Sequence, residues 1–528
     1  MVFVSRADLP ESVRYRVCII GGGASGLTVA ADLADKQIPV CVLESEGMAR
    51  VPRASDLGSG ESTGLPYAPL ATSRLRGYGG STQVFGWGGL CKPLDEQDFS
   101  ARPWVRHSGW PFARAHLMPY YLRARKTLGL GDVTGLSKRE PVFERRSKTI
   151  SSDNVELCRN YRLGSHLKAE LERSNSVQIF LHATVLYLQF DQEKQNVVSA
   201  VIDRGDERPL RIHADMFVLA AGGLENARLL LLSNCPGSER GLVGGFFMDH
   251  PRFTVGTLVP ADRKVRSVLL AFDRVRVARR QRLEMVTGLT SGRRFIVKGL
   301  TLPFELQERE RLLNHRAWLE PCYIGQDAGK LKSLRESLLA YREQALSGDG
   351  MSRSQFLGRN LKDFNWTRLM HLMRPLSLVR SFRMHHIVEP EPDPASRITL
   401  SEERDRFGLR KINMRWALAA ATFDSLRRTV GIFETEFRQT GLAKLETAPE
   451  EWEALGQPMW TWHHMGTTRM HAEARHGVVD PQCRVHGVNN LFVAGSSIFP
   501  TAGNDTPTFT VVALAHRLAD HLQKIAGA

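Results

Sequence analysis

Runs of hydrophobic positions divide this chain into recurring units. Val17–Ile20 is an unbroken apolar run rich in β-branched residues, the pattern of a strand buried on both faces. Leu27, Ala30, Ala31 and Ala34 then recur at helical spacing, which predicts a helix to about Lys36. Pro39 to Leu43 is a second buried run that ends at Glu44. The same grammar returns at Asp215–Ala221, a buried strand followed by Gly222-Gly223 and a helical stretch over Leu224–Leu232. That pattern belongs to chains that re-enter one parallel sheet. Asn490–Ala494 predicts a further buried strand, and Thr508–Ile525 an amphipathic helix that brings the chain back to its first unit. Leu163–Ser174 predicts a helix. Val177–Phe190 predicts a strand pair, continued by Gln195–Val201 and Arg211–His213 as a small antiparallel unit.

The texture changes in the middle. Val265–Leu270, Phe295–Leu302, Ala317–Gly325 and Ile398–Leu400 read as strands, and Leu331–Ala345 as a helix. Phe423, Leu426, Val430, Phe433 and Phe437 form the apolar stripe of another helix. At 528 residues the chain exceeds what one core usually supports. The expected organisation is α/β: a nucleotide-binding domain over 1–250, with a linker or lid at about 91–155. An inserted α+β substrate domain on a mostly antiparallel sheet follows over 251–450, and 451–528 returns to the first domain.

The first strand runs into Gly21-Gly22-Gly23-Ala24-Ser25-Gly26, a G-x-G-x-x-G. Gly21 allows the tight turn, Gly23 lets the backbone approach a pyrophosphate, and Gly26 lets helix and strand pack closely. The helix N-terminus offers N–H groups to phosphate, and Glu44 can bond ribose hydroxyls. Its charge would repel a ribose phosphate, which disfavours NADP and leaves FAD and NAD. Gly77–Gly89 carries too many glycines for a regular element, so it predicts a loop at a close approach to something flat or charged. Ser81 and Thr82 can donate there, and Trp87 suits either a planar ring or the core.

Composition is that of a globular protein, 42% hydrophobic and 24% charged, with no apolar run long enough to span a membrane. Seven scattered cysteines, an odd number with no C-x-x-C, predict a reducing cytoplasm and no structural zinc. The net charge of +15 is concentrated in Arg263–Arg294 and Lys330–Arg383. Within the first of these, Arg274, Arg276, Arg279, Arg280 and Arg282 read as a solvated basic face, or as the mark of an acidic substrate, an acidic carrier or a membrane surface. No nucleic-acid signature is present.

Four separated stretches carry a resemblance. They are GGGASGL with LESEG, GYGGSTQVFGWGG, VLAAGGLENARLLLLS with FFMDHP, and the C-terminal WHHMGTTRM through NDTPTFTVVALAHRLADHL. Together they resemble the glucose–methanol–choline (GMC) oxidoreductases, in their bacterial branch acting on sugars and related alcohols. The likeness is weak over about Arg252–Pro390. It implies a Rossmann-type FAD-binding domain with an inserted substrate domain, and oxidation of an alcohol by hydride transfer to flavin N5. It implies His463 as the base, three residues before Gly466, and cofactor contacts from Val185, Gly80, Ser81, Ala221, Gly222, Gly495, Ser496 and Pro507. If Met459–His464 is extended, His463 and His464 point to opposite sides and one alone faces the ring.

The family usually places a second His or Asn before the position of Pro507. This chain has Thr506, with Asn504 two residues earlier. Asn504, Thr506 or the pair His463 and His464 fills the role. Members that tether FAD do so through a His in the second Gly-rich loop. Gln83 and Val84 stand there instead, so the expected FAD is non-covalent. The expected partners are a small alcohol or sugar, acidic or carrier-linked among the possibilities, and an electron acceptor that is oxygen, a quinone or a redox protein. A non-redox FAD-containing lyase, an NAD-linked dehydrogenase and a carrier-binding protein are the competing functions.

Overall fold

The computed structural model describes residues 3–5, 14–48, 56–83, 89–130, 147–159, 162–203, 209–287, 295–323 and 376–527. The expected helix Leu331–Ala345 and Trp87 lie outside them.

Strands with no polar face need cover on both sides, and they occupy the middle of the first sheet. Arg14–Ile20 (β2) lies between Val40–Leu43 (β3) and Leu210–Leu219 (β10), parallel to both. Val177–Leu181 (β7) pairs in parallel with β3, Phe3–Ser5 (β1) with β7, and Leu491–Val493 (β18) with β10. Strand β10 serves two kinds of partner. Its residues His213–Leu219 run parallel to β2, whereas Leu210–Ile212 pair antiparallel with Val197–Ile202 (β9), which pairs in turn with Val185–Phe190 (β8). The expected strand pair within Val177–Phe190 is therefore divided. Val177, Ile179 and Phe180 are at most 1% exposed, so that half enters the parallel sheet, and only the second half joins the antiparallel unit. Helix Ala24–Ala34 packs against the C-terminal helix Thr508–Ala526 over this sheet.

The second sheet is antiparallel at every pairing. Its order is Ala443–Glu446 (β17), Arg252–Pro260 (β11), Val379–Val388 (β14), His315–Tyr323 (β13), Ile296–Thr301 (β12), Ser151–Leu157 (β6) and Leu90–Cys91 (β5). Strands β5 and β6 come from the first part of the chain, so the region expected as linker contributes two strands here. It also contributes Tyr121, whose hydroxyl shares a 2.8 Å hydrogen bond with Thr510 on the C-terminal helix. Helix Ala420–Thr440 closes a core over the sheet, burying Leu426, Val430, Phe433 and Phe437, and ends at Gly441 with φ 61°. The expected strand Val265–Leu270 is a helix, Arg263–Leu269. Asp262 caps it by accepting the Val265 N–H at 2.8 Å, and that local bond outweighs the β-branched content. A third, small sheet joins Arg397–Arg404 (β15) and Arg410–Trp416 (β16) to Gly60–Gly64 (β4).

Among the described residues no helix is long and apolar enough to cross a membrane, and no cluster of His, Cys, Asp or Glu is arranged to hold a metal ion. All seven cysteines are free.

Candidate active site

The carboxyl ends of β2, β3, β10 and β18 open onto one cavity of about 280 Å³. Gly21 leaves β2 with φ 112°, and a Cβ there would run into the Ala220 backbone. Gly26 lies outside the cavity lining; a Cβ on it would strike Gly21 O and press on Ala220 and Ile19, so it serves the helix–strand contact. Gly23 is different: a Cβ there meets nothing within 4 Å, and the same holds at Gly222. Both line the cavity, so the open space above them is room for a bound group. The helix that starts after Gly23 has no side-chain cap and no acid in its first turn, which leaves its N–H groups to an anion.

Glu44 is 5% exposed at the cavity wall and is oriented by backbone donors, Gly22 N–H at 2.8 Å and Gly77 N–H at 2.9 Å. Ala24, Ser25, Gly80, Ser81 and Val185 also line this space. So do Ala221, Gly495, Ser496, Pro507, His463 and His464.

A second cavity, about 220 Å³, lies toward the antiparallel sheet. Among the expected site residues Ser81, His463 and Thr506 line it, so His463 borders both spaces. The segment before His463 is not extended. Trp462 has φ 62°, so the run is not a continuous strand, and both histidines border the first cavity.

Asp249 and His250, at the end of the FFMDHP stretch, organise this segment. Asp249 is fully buried and accepts the N–H groups of Thr461, Trp462 and His463, the last two at 2.9 Å, and the Thr461 hydroxyl at 2.5 Å. The Tyr67 hydroxyl also donates to Asp249 at 2.6 Å, so it accepts from His464 Nε2 at 3.1 Å.

His250 Nε2 lies 2.9 Å from the Gly503 carbonyl, and His250 Nδ1 lies 2.9 Å from His463 Nδ1. A carbonyl can only accept, so His250 Nε2 carries a proton. Burial lowers the pKa of His250, so its ring is neutral and its Nδ1 is a bare acceptor. His463 Nδ1 must then donate. Its Nε2 is left as a lone pair with no hydrogen-bond partner among the described residues. Burial first, and then the neighbouring His250, push the His463 pKa down to about 3; burial pushes His464 to about 4.

The remaining candidates are engaged elsewhere. Thr506 donates its hydroxyl proton to Leu90 O at 2.7 Å, leaving lone pairs alone toward the second cavity. Asn504 lines neither cavity: its amide donates to Asn314 Oδ1 at 2.9 Å and accepts from Lys92 Nζ at 2.9 Å. Sequence reasoning missed Asp249, His250 and Tyr67 as site residues. FFMDHP was visible as a motif, but nothing in it discloses a contact with residues more than 200 positions away.

Residues 392–515 match the C-terminal GMC oxidoreductase family model, and residues 16–237 match the FAD dependent oxidoreductase model. The chain carries a GMC oxidoreductase C-terminal domain and an FAD dependent oxidoreductase domain. The chain is 24% identical to 6'''-hydroxyparomomycin C oxidase of Streptomyces lividus, over 96% of the chain and 92% of that protein. It is 23% identical to paromamine 6'-oxidase of Streptomyces fradiae, over 96% and 90%. A fungal aryl-alcohol oxidase shares the fold, with a TM-score of 0.59 at 15% identity over 98% of this chain and all of that one. The first cavity suits the FAD of such a domain: open glycines and an uncapped helix where the pyrophosphate needs room and N–H donors, and a fixed carboxylate at the end of β3.

Proposed function

We propose that this FAD-dependent oxidoreductase oxidises an alcohol carbon of a sugar, cyclitol or similar polyol, with His463 accepting the hydroxyl proton. Bound FAD supplies a hydride acceptor, the flavin ring. The observation that carries the reading is the position of His463 between the two cavities with its Nε2 lone pair free. An alcohol is a poor hydride source until its proton leaves, and a neutral imidazole can take that proton. His250 keeps the accepting nitrogen bare, and Asp249 holds the backbone that carries the ring. Thr506 can accept a second hydroxyl of the substrate, and His464, on the wall of the first cavity, ties the segment through Tyr67 to Asp249.

Gly21, Gly23, Glu44, Gly80 and Ser81 would hold the nucleotide, joined by Val185, Ala221, Gly222, Gly495, Ser496 and Pro507. A Gly-rich loop without His supports non-covalent FAD, and seven unpaired cysteines support a cytoplasmic setting. The division at 1–250, 251–450 and 451–528 belongs to the same reading, with β5 and β6 lent to the substrate sheet. The names of the two Streptomyces relatives support oxidation on a sugar-like scaffold.

An anaerobic screen of sugars, cyclitols and simple alcohols for flavin bleaching tests the reading. Reoxidation of the reduced enzyme by oxygen, by a quinone dye or by neither then names the acceptor. A yellow protein that no alcohol bleaches would instead favour the lyase function.

The depressed pKa of His463 predicts a pH profile. The neutral ring is the active form, so lowering the pKa preserves the base as pH falls through the ordinary histidine value of about 6.5. Flavin reduction should stay level between about pH 7 and pH 5 and fail only under stronger acid. A tenfold fall per pH unit beginning near 6.5 would mean that His463 charges normally, or is not the base.

A further inference from the structure

The second cavity is lined by four arginines, Arg74, Arg252, Arg274 and Arg316, and by one carboxylate, Asp505. Two of the four are neutralised in place. Arg74 pairs with Glu225, and Arg316 pairs with Asp505 and, at 2.9 Å, with Asp153. Asp505 is already engaged, with one oxygen on Arg316 and the other accepting the Thr506 N–H at 2.6 Å, and its charge favours that of Arg274 without an ion pair between them. Arg252 lies over the face of Trp318, 5.7 Å from the ring centroid.

Arg274 is the exception. Among the described residues no carboxylate forms an ion pair with it, although burial works against its charge. Its position is built. It opens helix Arg274–Thr287 directly after Asp273, which is 2% exposed and caps the helix by accepting the Val275 N–H at 3.1 Å. The basic run therefore divides. Arg279 is exposed, as a solvated face requires, whereas Arg274 turns to the cavity that His463 borders.

We propose that the second cavity takes an alcohol bearing a carboxylate, of the uronic, aldonic or cyclitol carboxylic acid class, and that Arg274 binds the carboxylate while the hydroxyl meets His463. This rests on the reading of His463 as the base. A planar guanidinium fork matches a carboxylate through two parallel hydrogen bonds, and the charge-assisted pair is the strong kind. Arg274 answers one negative charge, and a carboxylate brings one where a phosphate monoester brings close to two. The same charge repels cationic alcohols, which gives selectivity by exclusion.

The test uses the FAD-loaded enzyme under anaerobic conditions and three acids, D-glucuronate, D-gluconate and quinate, each against its uncharged amide and against glucose 6-phosphate. Binding is read by calorimetry and flavin reduction by absorbance. At least one acid should bind tenfold or more tightly than its amide. Arg274→Gln should abolish that preference, and Arg274→Lys should restore part of it. If the variants do not fold, the acid–amide comparison in the parent still decides. Equal binding of every acid and amide, a preference that survives Arg274→Gln, or tighter binding of the phosphate would overturn the proposal. Arg274-dependent binding of acids without bleaching by any alcohol would leave the anion site standing and remove the alcohol-oxidation reading. Bleaching by neutral sugars with no acid preference would do the reverse.

Discussion

Replacing His463 with alanine should slow anaerobic flavin reduction by about 10²–10⁴-fold, roughly 3–5 kcal/mol of barrier, while FAD stays bound. The ring is the group at the boundary of the two cavities with an uncommitted nitrogen, so its loss removes the proton acceptor and little of the cofactor site. His464→Ala should cost less, because its Nε2 is already tied to Tyr67 and through it to Asp249. His250→Phe separates base from positioner. Without the acceptor at His250 Nδ1, the His463 proton is free to sit on either nitrogen, and the rate should fall by about tenfold, within the range of lost buried hydrogen bonds. A carbon-deuterated alcohol shows whether the measured step is C–H cleavage. If His464→Ala is the dead variant and His463→Ala is nearly normal, the base is His464 and the assignment is off by one residue.

Gly23→Val should yield colourless protein. The space above Gly23 is empty for 4 Å, so the side chain fits the fold but fills the room left for a pyrophosphate. The variant should fold, since nothing packs there and φ is an ordinary −84°. The parent, precipitated with acid, should release all of its yellow colour, as a non-covalent flavin does. A yellow Gly23→Val enzyme would move the phosphates elsewhere, and colour retained in the precipitate would mean a covalent link. Gly26→Val is the contrast: it collides with Gly21 O and should fail in folding, not merely in binding.

The nucleotide crest was legible because its logic is local. A buried strand, a glycine turn, a helix and an acid lie within thirty residues, and each is dictated by its neighbours in the chain. The C-terminal block was equally legible, and residues 392–515 match the GMC oxidoreductase model. Local pattern misled where a single bond outweighed propensity. Val265–Leu270 reads as a strand by side chain, yet the Asp262 cap makes it helical.

The site chemistry belongs to the tertiary structure. Trp462 takes a left-handed backbone conformation, so the segment is not the extended strand that the alternation argument needs, and His463 and His464 both border one cavity. Which nitrogen of His463 is bare depends on His250, 213 residues away, and on the Gly503 carbonyl beyond it. Asn504 and Thr506 look equivalent on paper, but Lys92 and Asn314 hold the first away from both cavities, while Leu90 takes the proton of the second. Arg274 is one basic residue among five in sequence, and only the helix start at Asp273 turns it inward. The chain by itself determined the nucleotide fold, the family resemblance and the residue types available for catalysis, because these rest on spacing along the backbone. Tautomer, commitment of hydroxyls and placement of charge were decided only by folding, because each depends on a partner that sequence distance hides.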